Sequence, residues 1–274
     1  MQRFRFGRFF LYLLILFFVC FWFAGGNTIT NLLEPNLKAT LKDTIDTKQI
    51  PSLPSVDTAT KEDLNSAYDR FYRLLALKSA VKARIANQNY VKLENISLSL
   101  QQAIIATEDN RFYTHPGFDV EGIMRASLVN LQYGEVTEGG STITQQLVKN
   151  LFLSQDRSLN RKLEEFALAI DMEMRYSKEE ILELYLNTIY FGSGYYGISE
   201  AAMGYFAKLP NELTLAEASM LAGLPNAPSL YSPYVDFTAA KKRQAIVLNR
   251  MAETGCITPT IAKAAKAEPI YLAE

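Results

Sequence analysis

The chain has 274 residues, with 28 Lys and Arg against 29 Asp and Glu and a formal net charge of −1. That balance argues against a general nucleic-acid binder, which carries a strong basic excess, while 49% hydrophobic and 12% aromatic residues can bury a sizeable core. A single histidine and two cysteines, Cys20 and Cys256, with no CxxC pair, argue against a zinc site and against a disulfide.

Arg3, Arg5 and Arg8 precede an uninterrupted apolar and aromatic run from Phe9 to Ala24. Residues 1–8 read as a cytoplasmic basic end. Residues 9–26 read as a transmembrane helix, close to the ~20 residues that span the hydrocarbon core. The arginines stay inside, which places the rest of the chain outside. Ala24-Gly25-Gly26 also fits the cleavage site of a signal peptide, but bulky Phe21, Trp22 and Phe23 favour a retained anchor.

Residues 27–89 read as a juxtamembrane spacer, with Pro35, Pro51 and Pro54, and an extra helix. That helix starts at Thr60 and runs to about Ala86, with Leu64, Ala67, Phe71 and Leu74 at helical spacing. Tyr90–Leu93 reads as a short strand. Residues 90–274 then read as an α-rich domain. Its helices fall at about Leu98–Thr107, Val120–Leu131, Thr142–Leu151, Leu159–Arg175, Lys178–Asn187, Ile198–Phe206, Leu215–Leu224, Ala239–Glu253 and Pro259–Ala267. Ser158, Ser177 and Thr214 stand where N-caps are wanted. Pro225, Pro228 and Pro233 mark a rigid turn segment. Gly192, Gly194 and Gly197, among tyrosines, read as a tight loop; without a GK[ST] sequence it is not a nucleotide site.

Chemistry concentrates between Ala103 and Asn150. Glu108-Asp109 ends the apolar run Ala103-Ile104-Ile105-Ala106, where a carboxyl can be partly desolvated and tuned as an acid or base. Two solvated acids at a helix end would look the same. His115 reads as a hydrogen-bonded turn residue rather than a catalyst. After Gly139-Gly140 comes a dense polar block: Ser141, Thr142, Thr144, Gln145, Gln146, Lys149, Asn150. At a helix start it offers N–H groups, hydroxyls, amides and an ammonium to phosphate or sugar oxygens, and it could equally be an ordinary surface helix. Arg161 and Glu165 lie one helical turn apart and can pair, while Lys162 and Glu164 read as a solvated face.

Taken together, these segments resemble the peptidoglycan glycosyltransferases of family 51. That family stands alone or as the first domain of class A penicillin-binding proteins. The pattern E-D-x-x-F-x-x-H-x-G is met by Glu108, Asp109, Phe112, His115 and Gly117. G-G-S-T-I-T-Q-Q-x-x-K-N is met by Gly139 to Asn150, and R-K-x-x-E by Arg161, Lys162 and Glu165. Two longer patterns are met by Ile181 to Phe206 and by Leu213 to Pro233. The likeness runs from about Val91 to Glu268 in one order. Ser79-Ala-Val-Lys82 matches the S-x-x-K of transpeptidases only by chance, since no S-D-N or K-T-G follows it. The chain therefore reads as the monofunctional type.

The resemblance implies a mainly α fold. A lysozyme-like helical lobe and a smaller membrane-proximal jaw lobe would follow one N-terminal transmembrane helix. It implies polymerisation of lipid II into β-1,4-linked glycan at the outer face of a bacterial cytoplasmic membrane, with release of undecaprenyl pyrophosphate. The implied partners are lipid II, the growing glycan strand, the membrane, and cell-wall synthesis or division proteins, with no nucleic acid. Glu108 matches the family's general base and Glu165 its second key acid. Lys149, Arg157 and Arg161 would supply charge to the pyrophosphate. Ser141, Thr142, Gln145, Gln146 and Asn150 would supply hydrogen bonds, with Phe112 and His115 also in the substrate site. Asp109 would fix the loop or help hold a divalent cation, Mg²⁺ or Mn²⁺. That cation is optional, and no cofactor is required. Two other readings stay open: a lysozyme-like lytic transglycosylase, and a non-enzymatic, membrane-anchored binder of wall precursor.

Overall fold

Helix N-termini in this chain are written into the sequence, and the computed structural model shows how. It describes residues 77–85, 89–133, 139–153 and 159–273. The basic end, the transmembrane reading at 9–26, the spacer to residue 76, the cap reading at Ser158 and Arg157 lie outside those residues. Among the described residues, no helix is long and apolar enough to cross a membrane.

A short 3-10 turn, Leu93–Asn95, follows α1 (Leu77–Ile85). Next come α2 (Leu98–Glu108), α3 (Val120–Tyr133), α4 (Ile143–Phe152), α5 (Leu159–Arg175) and α6 (Lys178–Thr188). The chain continues through α7 (Ile198–Phe206), α8 (Leu215–Gly223), α9 (Pro228–Tyr231), α10 (Phe237–Glu253) and α11 (Pro259–Ala267). The mainly α expectation holds. Thr142, Ser177 and Thr214 each cap their helix in a reciprocal capping box with Gln145, Glu180 and Glu217, so two orphan N–H groups are met at each start. The proline segment contains a single helical turn, α9, with Pro228 at its first position.

Tyr90–Leu93 is not a strand. The Val91 N–H donates to Asn187 Oδ1 at 2.7 Å, and the Asn187 Nδ2 donates to the Val91 carbonyl at 2.8 Å. The Leu93 N–H donates to Glu183 Oε2 at 2.7 Å. Two side chains one turn apart on α6 thus supply what a partner strand would, so extended backbone here needs no sheet.

Packing follows the apolar faces. α2 lies against α8 and α10, α4 against α5 and α6, and α11 against α10. Tyr185 on α6, Tyr205 on α7, Phe112 and Phe191 are the largest fully buried side chains. Leu77 and Val81 of α1 belong to the same core and pack toward α5, so the end of the stretch read as an extra helix contributes to this domain. One helix keeps an apolar face uncovered: Val120, Ile123, Met124, Leu128 and Leu131 of α3 are all exposed. In the tyrosine-lined loop, Gly192, Gly194 and Gly197 all have positive φ, and a Cβ at Gly197 would sit 2.4 Å from the Asn187 carbonyl oxygen.

Candidate active site

A cleft of about 310 Å³ opens where α2 ends, beside α3, the start of α4 and the face of α10 that carries Arg243, Ile246 and Arg250. Glu108 and Asp109 line it with Asp119, Gly139, Gly140, Ser141 and Thr142, and Arg125, Asn226, Arg243, Ile246 and Arg250 are also in the wall. Its surface is mainly polar, with carboxylates and guanidinium groups around one space.

Glu108 is the last residue of α2. Its Oε2 accepts a hydrogen bond from Gln146 Nε2 at 2.8 Å, and Oε1 has no hydrogen-bond partner among the described residues. Burial pushes its pKa above the ordinary 4.5, and Asp109 next to it acts in the same direction. The Gln146 hydrogen bond and the charges of Arg243 and Lys149 pull it back only in part. The apolar run before Glu108 delivers the desolvation expected from the sequence: Ala103, Ile104 and Ala106 are all buried.

Asp109 is turned inward. Both its oxygens lie 2.9 Å from His115 Nε2, and Oδ2 also accepts from the Ile143 N–H at 3.0 Å. The Gly117 N–H donates to His115 Nδ1, so the proton on the neutral ring sits on Nε2 and points at Asp109. His115 is buried and Phe112 is fully buried. Neither side chain is among those that line the cleft, and the expectation that they meet substrate gains no support from their positions. Gly117 has φ 92°, and a Cβ there would lie 2.9 Å from the Ala169 carbonyl oxygen, so the turn that carries His115 needs glycine.

The polar block on α4 is mostly internal wiring rather than a free ligand-facing surface. Thr142 and Gln145 are buried and satisfy each other in the capping box, and the Thr142 hydroxyl also donates to the Gly117 carbonyl at 2.7 Å. Thr144 donates to Glu173 at 2.6 Å, and Gln146 is committed to Glu108. The N–H groups of Thr142, Ile143 and Gln145 are taken by side chains, so they are not open to phosphate. What remains available is Ser141 on the cleft wall, partly buried Lys149 and exposed Asn150.

Glu165 on α5 is buried and does not line the cleft. Its partners are the Lys162 ammonium, in close contact, and Arg161 at 4.0 Å. Lys162, read from the sequence as solvated, is therefore the nearer partner, and it also reaches Ser141 Oγ at 3.4 Å. The pair Lys162–Glu165 thus adjoins the Gly-Gly-Ser edge of the cleft.

Arg243 was missed. Its guanidinium lines the cleft beside Glu108, its Nε donates to the Gly223 carbonyl at 3.3 Å, and its head lies 5.6 Å from the Tyr231 ring centroid. The clue was present: Arg243, Ile246 and Arg250, three and four residues apart, form one face of a helix.

The Asp109 oxygens are committed, and among the described residues no cluster of three or more His, Cys, Asp or Glu could hold a metal.

The transglycosylase family model matches residues 77–252. Penicillin-binding protein 1A of Aquifex aeolicus is 43% identical over 212 residues, covering 77% of this chain and 28% of that protein. Penicillin-binding protein 1A of Neisseria flavescens is 52% identical over 171 residues, covering 62% and 21%. A protein of Cupriavidus necator described as a transglycosylase is 44% identical over 200 residues, covering 73% of this chain and 86% of its own length. The chain thus spans about a quarter of the two penicillin-binding proteins and most of the Cupriavidus protein.

Proposed function

Because this chain belongs to the transglycosylase family, we propose that it polymerises lipid II into peptidoglycan glycan strands, with Glu108 as general base. The observation that carries this reading is a half-buried carboxyl in a polar cleft. It has one oxygen held by Gln146, the other without a partner among the described residues, and a pKa raised by burial.

A sugar hydroxyl is a poor nucleophile at neutral pH. The acceptor's 4-hydroxyl oxygen bonds to the donor's anomeric carbon, and its proton passes to Glu108. The bond from that carbon to the pyrophosphate oxygen breaks, and the electron pair leaves with undecaprenyl pyrophosphate. Attack opposite the leaving group turns an α-linked donor into a β-1,4 product. The pyrophosphate needs positive charge rather than a proton, and Lys149 and Arg161 are suited to supply it. Glu165 acts on the donor side, by orienting Lys162 and Arg161 or by stabilising developing positive charge.

In this reading α3 belongs to a jaw lobe that meets the membrane. Its exposed Val120, Met124, Leu128 and Leu131 support that placement. The catalytic domain would stand on the outer face of the cytoplasmic membrane, held by the apolar run at 9–26, and would meet wall-synthesis or division proteins there.

The test is incubation of the full-length protein, solubilised in detergent, with labelled lipid II, with glycan length and undecaprenyl pyrophosphate followed together. Polymer and pyrophosphate should rise in step, about one pyrophosphate per bond. Shortening of preformed strands would instead establish the lytic reading, and tight lipid II binding without either product the binder reading. A further expected outcome concerns Lys149→Ala. Its donor-site KM should rise about tenfold, the scale of one lost charge-assisted contact, with a smaller change at the acceptor site. Equal losses at both sites would remove Lys149 from the pyrophosphate role.

A further inference from the structure

The Glu108 carboxyl is held by an amide that is itself held from behind. Gln146 on α4 donates from Nε2 to Glu108 Oε2 at 2.8 Å, and its Oε1 accepts from the Tyr185 hydroxyl at 3.2 Å. Tyr185 sits on α6, fully buried, and its hydroxyl has no other partner among the described residues. Three helices therefore meet in one chain of hydrogen bonds that ends at the carboxyl on the cleft wall. An amide can present either its NH₂ or its oxygen. A phenol that donates to the oxygen leaves only the NH₂ for Glu108.

We infer that Tyr185 is a positioning residue for the reaction: by fixing the orientation of the Gln146 amide, it keeps a donor, never an acceptor, on Glu108. This rests on the reading of Glu108 as the base. A donor on Oε2 stabilises the carboxylate that must take the proton and leaves Oε1 to face the acceptor hydroxyl. An amide turned the other way would set two acceptors against each other and hold the acid protonated.

Tyr185 is suited to this duty because it stays a donor. Burial first, and then the nearby Glu108 and Asp109, push its hydroxyl well above the ordinary tyrosine range, so the proton stays on the phenol. The other charges that bear on Glu108 are Asp109 beside it, Lys149 on α4 and Arg243 on α10. None of them contacts the Gln146 oxygen, and none can set the amide's direction.

A buried tyrosine can also be mere packing, so the test separates the two roles. Tyr185→Phe keeps the ring and its volume and removes only the donor. In the full-length protein, the titration of Glu108 is read by carbon NMR of labelled glutamate side chains, with Glu108→Gln assigning the signal. The midpoint should rise in Tyr185→Phe. It should rise at least as far in Gln146→Met, and the double variant should match Gln146→Met alone. In the polymer assay, kcat of Tyr185→Phe should fall about tenfold, the usual scale of one buried hydrogen bond. KM should stay within about twofold, and the acidic limb should move to higher pH. An unmoved Glu108 titration would overturn the inference, as would a Tyr185→Phe effect of equal size in the Gln146→Met background. Absence of polymer from the wild type overturns the polymerase reading instead, and the titration still reports on the relay.

Discussion

Glu108→Gln should lower the rate of glycan polymerisation by about 10² to 10⁴, the range a positioned general base supplies, while making the protein more stable at neutral pH. Both effects come from one fact. The folded site holds a carboxyl whose pKa is raised by burial, so ionising it costs folding free energy. The sign is set by that direction. Below the unfolded pKa the group is neutral in both states and costs nothing. As pH rises through the raised folded value, the carboxyl is charged and the fold loses stability. The neutral amide avoids that loss. Thermal unfolding should therefore show Glu108→Gln melting higher than the wild type at pH 7. At pH 4 the gain should vanish. A variant that melts lower at pH 7 would mean that Glu108 is built into the fold rather than held against its preference.

Asp109→Ala should act in the opposite way and destabilise the domain. The carboxylate accepts hydrogen bonds from His115 Nε2–H and the Ile143 N–H, both inside the protein. Removing it leaves two buried donors without an acceptor, each costing about 1–3 kcal/mol. The expected total is about 3 kcal/mol, or a melting point about 6–12 °C lower. Asp109→Asn keeps one oxygen acceptor and should cost less. Activity should fall with the fold, since the Asp109–Ile143 bond ties the end of α2 to the start of α4 and so places Glu108 beside Gln146. If Asp109→Ala melts like the wild type and still loses activity, the residue serves substrate or a metal and not the loop.

These two neighbours show how far the sequence could be read. The apolar run before Glu108 is a local signal, and its consequence, a desolvated carboxyl, is local too. Nothing local distinguishes Asp109, whose partners lie 6 and 34 positions further along the chain. The block from Thr142 to Gln146 is ambiguous for a related reason. A row of polar side chains after Gly-Gly suits a ligand, and it suits equally well a helix start that needs capping and a buried turn that needs wiring. Here most of it serves the second purpose.

Helix positions were legible because caps and apolar spacing are written within a few residues. Leu159–Arg175, Ile198–Phe206 and Pro259–Ala267 fall where the pattern places them. Tyr90–Leu93 failed because extended propensity says nothing about what pairs with the backbone, and two α6 side chains do so. Arg243 and Lys162 needed three-dimensional neighbours to acquire meaning. Each carries a charge on a helix face that looks solvated until the cleft or Glu165 is seen beside it.

The most direct test of the account is the pH dependence of polymerisation of labelled lipid II by the full-length protein. The rate should fall as pH drops through a single acidic limb displaced above the ordinary carboxylate value of 4.5. Glu108→Gln should show neither the limb nor appreciable polymer. A rate that stays flat down to the ordinary carboxylate range, or a Glu108→Gln variant that polymerises with the limb intact, would contradict Glu108 as the base.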